Sequence, residues 1–213
     1  LAVPAEFLAE VPENIDLAAA AAVPVAALTA WQALHDFAAL QPGETVLVTA
    51  GAGGVGSIAV QLARHAGATV IATASAANHD YLRGLGVEHC IDYRAESVPE
   101  AVRRIAPAGC DVVLDCAGGD AYADGVASLC GGGRIATIVV PPDLEAAERG
   151  GYRAAFIRSE PNGEQLGRVA ALIGEGVLKM PQLDVRSVRD AAQAQDDSQA
   201  GHTRGKIVLA IDF

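Results

Sequence analysis

The sequence predicts an α/β fold built on a doubly wound parallel sheet. Three observations lead there. Short apolar or β-branched runs alternate with helical stretches from Thr45 onward, those runs are apolar on both faces, and the connections between them are short.

Ahead of that alternation, Asp16 to Leu40 reads as helix. Asp16 is placed to act as N-cap, an Ala-rich run follows, and Pro24 marks a break before Ala26 to Phe37. Gln41-Pro42-Gly43-Glu44 is a turn. Thr45 to Thr49 is the first strand, a glycine loop follows, and a helix runs from about Val55 to His65. Thr69 to Thr73 is the second strand and Asn78 to Leu85 the second helix of the alternation. The rhythm continues with a strand at His89 to Asp92, a helix at Val98 to Ile105 and a strand at Asp111 to Asp115. A helix at about Ala121 to Leu129 leads to the Gly131-Gly132-Gly133 turn and a strand from Arg134 to Val140.

After Pro141-Pro142 the pattern loosens. Tyr152 to Ile157 reads as a sixth strand, and Gly163 to Gly174 as a helix with Leu166, Val169, Ala170 and Ile173 on one face. The tail carries a short strand near Leu183 to Val185, a polar helix near Val188 to Gln199 and a final strand from Lys206 to Ile211. Asp196-Asp197 reads as a solvated helix face rather than a site.

Composition narrows the function. The chain has 213 residues, 51% of them apolar, 19% charged and 4% aromatic, which excludes a disordered chain and suffices for a substantial core. A formal net charge of -11, with Lys179 and Lys206 as its lysines and no basic run, argues against nucleic acid and anionic membranes as partners. The longest apolar stretch, Leu17 to Trp31, contains Pro24 and is about five residues short of the ~20 a spanning helix needs. No basic segment precedes it, so it does not read as a signal peptide. Cys90, Cys110, Cys116 and Cys130 lack C-x-x-C spacing and read as free buried thiols of a cytoplasmic protein, with no metal site. The chain opens at Leu1, and Leu-Ala-Val-Pro enters directly into a helical segment, which reads as part of a longer protein.

The glycine loop Gly51-Ala-Gly53-Gly54-Val55-Gly56 satisfies G-x-G-x-x-G and stands directly after a strand and at the opening of a helix. Its glycines permit the tight turn, the approach of backbone to a pyrophosphate and close helix–strand packing, while free N–H groups at the helix end favour negative charge. The alternative is a glycine turn needed only for packing. With the loop, the expected fold becomes a Rossmann-type sheet binding a dinucleotide.

Which dinucleotide depends on the end of the second strand. NAD sites usually place an acid there for the ribose 2′-OH. No acid stands between Glu44 and Asp80; the expected position reads Thr73-Ala74-Ser75-Ala76-Ala77-Asn78-His79. Ser75 and Asn78 could donate to a 2′-phosphate, which favours NADP(H). No Lys or Arg stands in that loop, with His79 and Arg83 one turn further on. Ordinary turn and capping chemistry is the rival role for Ser75 and Asn78.

With these residues in place the chain resembles the medium-chain dehydrogenase/reductase superfamily, in its zinc-free quinone oxidoreductase branch. The matching stretches are Ala27 to Trp31, Val46 to Ala63, Thr69 to Ser75, Ile91 to Tyr93, Asp111 to Asp115 and Gly201-His-Thr-Arg-Gly-Lys-Ile-Val-Leu209. The resemblance implies a cofactor domain over residues 1–176 and, over 177–213, a C-terminal remnant of a β-rich, GroES-like catalytic domain whose N-terminal part is missing. It implies Thr29 and Val55 near the nicotinamide, Gly53, Gly54 and Val55 along the pyrophosphate after Gly51, and Ser75 and Asn78 toward the 2′-phosphate, with Thr73 also among the cofactor-binding residues. Tyr93 would lie at the adenosine end, and Cys116, Ile138 and Val139 beside the ribose and nicotinamide. Relatives often carry a basic residue where Asn78 stands. Tyr93 could instead be a surface tyrosine and Thr29 a helix residue bonding its own backbone. The superfamily's zinc ligands lie mostly outside these residues, so the zinc-free assignment rests on resemblance.

The implied chemistry is hydride transfer from NADPH to a quinone or α,β-unsaturated carbonyl, with this chain alone expected to be inactive and no general acid nominated in it. His35, His65, His79, His89 and His202 form no catalytic spacing, and Asp115 reads as a turn residue before a ligand. A zinc-dependent alcohol dehydrogenase-type member and a non-enzymatic nucleotide-binding module are the alternatives. A short-chain reductase fails, because Tyr81, Tyr93, Tyr122 and Tyr152 lack a Lys four residues on. A methyltransferase would be expected to show an acid after the second strand. The resemblance also makes the strand near Tyr152 the candidate edge for a homodimer.

Overall fold

The structure, a computed structural model, describes residues 2–201 and 203–211. Strands β1 (Thr45–Val48), β2 (Thr69–Ala74), β3 (His89–Asp92), β4 (Cys110–Asp115), β5 (Leu129–Thr137) and β6 (Arg153–Phe156) form one parallel sheet in the order β3-β2-β1-β4-β5-β6. The order reverses between β1 and β4, the crevice at which such sheets bind ligands. The doubly wound α/β expectation is met.

Alternation along each strand builds two cores. Val46 and Val48 of β1 pack with Val112, Leu114 and Ala136 into one layer, covered by α2 (Pro24–Trp31), α3 (Gly54–His65), α4 (His79–Gly84) and α8 (Gly163–Gly174). Leu47 points the other way and meets Ile71, Ile91, Val113 and Ile135 under α5 (Val98–Ile105) and α6 (Asp120–Ala127). Both faces are therefore apolar because both are covered. Helix α3 presents Ile58, Ala59, Leu62 and Ala63 to the first core and carries Arg64, a cation suited to a helix C-terminus, in its last turn.

Several boundaries differ from the sequence reading. Asp16 does cap α1 (Leu17–Ala20), accepting from Ala18 N and Ala19 N. The next helix starts on Pro24 rather than after it, since proline's missing N–H costs nothing at the first helical position. After Trp31 it widens into a π turn over Gln32–Phe37, with Ala38 N bonding Ala33 O. Gly131 to Gly133 do not precede β5 but lie inside it. The register passes from Cys110–Leu129 to Val112–Arg134, looping the glycines out as a bulge with Gly132 at φ +78°. β5 ends at Thr137 rather than Val140, because its partners Asp115 of β4 and Phe156 of β6 are the last residues of their strands.

Where the pattern loosens, α7 (Leu144–Arg149) forms, capped by Asp143 Oδ1 accepting from Ala146 N. The opening residues are extended only as far as Pro4; a 3-10 turn spans Ala5–Phe7. In the tail, β7 (Leu183–Ser187) and β8 (Lys206–Ala210) form a separate parallel pair, joined through a 3-10 turn and α9 (Ala191–Gln199). Asp197 on α9 is partly exposed and ion-paired with Arg186 at 2.6 Å. Of the four cysteines, Cys110 is buried, and the other three are half-buried rather than enclosed. Among the described residues no helix is long and apolar enough to cross a membrane.

Candidate dinucleotide-binding site

Parallel strands deliver their following loops to one edge of the sheet. That edge gathers Gly51 to Val55 after β1, Ser75 and Asn78 after β2, Tyr93 after β3, Cys116 after β4 and Ile138 and Val139 after β5.

The glycine loop is held from β2. Gly51 N donates to Thr73 O at 2.9 Å, and Ala50 N donates to Thr73 Oγ1 at 3.2 Å. Ala50 sits at φ +49°, a left-handed conformation that is costly for a non-glycine residue. A Cβ on Gly51 would stand 2.9 Å from Ala72 Cβ of β2, and one on Gly56 of α3 would overlap Ala50 O, so the loop lies too close to β2 at the first position and to α3 at the second for a side chain. The first-turn N–H groups of α3 open beside Gly53 and Gly54, where helix geometry leaves donors without an intrahelical acceptor.

Beyond the switch point, Asp115 is fully buried and accepts from four groups. Thr49 Oγ1 and Thr137 Oγ1 donate at 2.9 Å each, and Ala117 N and Gly118 N at 3.1 and 3.0 Å. The carboxylate thus ties the ends of β1, β4 and β5 and the turn after β4, which fits the turn role read for it. Cys116 N donates to Thr49 Oγ1 at 2.8 Å, and burial, aided by the Asp115 charge, pushes its thiol well up. Ile138 N donates to Asp115 O at 3.1 Å, while Val139 is exposed beside Gly118.

Two sequence-predicted residues show the other roles weighed for them. Thr29 is buried in α2, and its Oγ1 donates to Val25 O at 2.6 Å, the backbone role named as its rival. Tyr93 is half-exposed at the β3 end, its hydroxyl accepting from Arg94 Nε at 3.2 Å.

The tail, read from sequence as a catalytic-domain remnant, was given no part in the cofactor site. Gly205 N donates to Ala52 O at 2.9 Å and Gly205 bridges to Gly53, laying the start of β8 across the glycine loop. The Lys206 stem covers Gly54. Arg204 Nε donates to Asn78 Oδ1 at 2.6 Å, Nη2 donates to Ala77 O at 3.1 Å, and the guanidinium lies 5.7 Å from the Tyr81 ring. Asn78 Nδ2 in turn donates to Ser75 Oγ at 3.3 Å. The available signal was Arg-Gly-Lys in a chain with two lysines. His202, in the same stretch, lies outside the described residues.

These residues fit a dinucleotide: a glycine cradle that a Cβ would fill, a helix N-terminus and two cations beside it. Among the described residues no three His, Cys, Asp or Glu side chains cluster to hold a metal ion. Burial pushes the Cys110 thiol up to about 12.

A parallel sheet with a glycine loop at its switch point is the architecture of the dinucleotide-binding folds. The family model described as zinc-binding dehydrogenase matches residues 85–209, and the chain belongs to that family, within the medium-chain dehydrogenase/reductase superfamily. It is 41% identical over 213 residues to polyketide synthase GfsB of Streptomyces halstedii, a match covering 96% of this chain and 4% of that protein. The quinone oxidoreductase of Coxiella burnetii superposes with a TM-score of 0.81 at 35% identity, over 90% of this chain and 60% of the other. CurK enoyl reductase does so at 0.84 and 29%, over 94% and 64%.

Proposed function

We propose that the chain is the NADP(H)-binding portion of an oxidoreductase that moves a hydride from NADPH to a quinone or an α,β-unsaturated carbonyl. The observation that carries this reading is the glycine loop opening α3 at the switch point, with no acid among residues 75–79 that follow β2, where an NAD site usually places one. Gly51, Gly53, Gly54 and Val55 would line the pyrophosphate, Thr73 would hold the loop, and Ser75 and Asn78 would face the 2′-phosphate. Cys116, Ile138 and Val139 would flank the nicotinamide half, with Thr29 behind it and Tyr93 toward the adenosine.

An enoyl group is the acceptor we favour over a free quinone. The higher identity to a polyketide synthase than to the quinone oxidoreductase, together with the fit to an enoyl reductase, supports that choice. Residues 1–176 would then be the cofactor domain and 177–213 part of a catalytic domain, a division supported by the β7–β8 pair standing apart from the main sheet. β6 is a sheet edge, as the proposed homodimer through it requires, and the free thiols are what a cytoplasmic location would favour.

Calorimetric titration with NADPH and NADH tests the reading. NADPH should bind roughly tenfold or more tightly, as expected when a charged phosphate gains directed donors. Equal binding, or preference for NADH, overturns it. A crotonyl thioester and a benzoquinone, offered in turn with NADPH to a longer protein that also carries the rest of the catalytic domain, then test the acceptor.

A further inference from the structure

We infer that Arg204, delivered from the tail 126 residues away in sequence, is the cation that selects a 2′-phosphate at the Ser75–Asn78 loop. This rests on the dinucleotide reading above and supplies what the loop itself lacks.

The loop has hydrogen-bond donors but no charge of its own. The two basic residues nearest in sequence are both engaged elsewhere. His79 turns its ring back to Ala74 O at 3.3 Å, and Arg83 pairs with Asp80 at 2.7 Å. On the other side, Asp92 Oδ2 accepts from Ala76 N at 3.3 Å, which places a carboxylate against the same loop. In a chain of net charge -11, an incoming phosphate dianion therefore needs a local cation.

Arg204 meets that need by geometry. Its Nε and Nη2 are fixed on Asn78 Oδ1 and Ala77 O, and the Tyr81 ring supports the guanidinium. Two of its nitrogens are thus spent on holding position, while Nη1 remains to donate. Among the described residues no carboxylate forms an ion pair with it. Asn78 links Arg204 to Ser75 in one hydrogen-bonded row, so a phosphate accepting from Ser75 would lie within the reach of the fork. A planar guanidinium suits that oxygen array better than an ammonium would.

Placement on the tail adds a consequence. Gly205 and Lys206 follow Arg204 directly, and Gly205 is bonded to the glycine loop through Ala52 O. A phosphate held by Arg204 must therefore also fasten the start of β8 over the site. Cofactor selection and tail closure become one equilibrium.

The test is titration of wild type, Arg204→Gln and Arg204→Lys with NADPH, NADH, 2′,5′-ADP and 5′-AMP. Arg204→Gln should weaken NADPH and 2′,5′-ADP by roughly 10- to 100-fold and leave NADH and 5′-AMP within about twofold, with Arg204→Lys intermediate. If wild type prefers NADPH and Arg204→Gln keeps that preference, the role of Arg204 is wrong and the NADPH reading stands. If wild type does not discriminate, or binds neither 2′,5′-ADP nor NADPH, both fall. Hydrogen exchange on wild type gives a reading that needs no variant. Amides of β8 should be protected by 2′,5′-ADP and not by 5′-AMP, and equal protection overturns the proposal.

Discussion

Thr49 and Asp115 are joined across the switch point of the sheet: Thr49 Oγ1 donates to Asp115 Oδ1 at 2.9 Å while accepting from Cys116 N at 2.8 Å. One hydroxyl thus satisfies a buried carboxylate and a backbone donor at the floor of the proposed site. Asp115→Ala strands two hydroxyls and two N–H groups and should lower stability by about 3 kcal/mol. Thr49→Val removes one of the ties and should cost about 1.5 kcal/mol. Urea unfolding measures both, and a change under 0.5 kcal/mol for Asp115→Ala would show that solvent already satisfies this cluster.

The glycine loop separates a packing glycine from a site-facing one. At Gly56 an added Cβ would meet the backbone at Ala50 O and Gly51 Cα, neither able to yield. Gly56→Ala should therefore destabilise the protein by about 2 kcal/mol or more. At Gly54 the same atom meets the flexible Lys206 side chain first, with Gly205 O at 3.2 Å behind it. Gly54→Ala should fold nearly as well as wild type and weaken NADPH binding by displacing the tail. Thermal melts read alongside titrations distinguish the two; equal loss of stability would contradict the division.

The sheet was legible because its strands carry their own signal. Val46-Leu47-Val48 is apolar at every position, and that run cannot be half-exposed without loss. The loop and its helix were legible for the same reason, since both the turn and the apolar face of α3 are local. What failed was either locally ambiguous or remote. Three consecutive glycines look like a turn, yet here the neighbouring β4 takes up Leu129 before them and Arg134 after them, and only pairing reveals that. Helix α7 is six residues long and its periodicity is too short to register, although Asp143 announced its cap. The contact between Arg204 and Asn78 is set by how the tail returns over the loop, and no local pattern encodes that return.

Thiol chemistry should report burial rather than catalysis. Desolvation pushes Cys110 up to about 12, with Asp111 and Cys130 adding to the effect, and raises Cys90, Cys116 and Cys130 as well. Because the thiolate is the nucleophile, Cys110 in the native protein should react with a disulfide reagent at pH 8 roughly a thousandfold more slowly than a free thiol. All four cysteines should react at once in guanidinium. Mass spectrometry of partially labelled protein gives the order, and early modification of Cys110 in the folded state would refute its enclosure.

His35 should make the stability depend on pH near neutrality. Its ring packs on Trp31 with centroids 4.4 Å apart, and burial lowers its pKa, a shift that Asp36 opposes and His65 reinforces. The unfolded chain then binds the proton more readily than the folded one below the ordinary value of about 6.5. Stability from this group is complete above that value and falls as the pH drops toward the folded-state pKa, where the loss levels off. His35→Gln cannot take up that proton. The urea midpoint of wild type should fall further between pH 7.5 and 5.5 than that of His35→Gln, and parallel declines would mean that other groups carry the whole acid sensitivity.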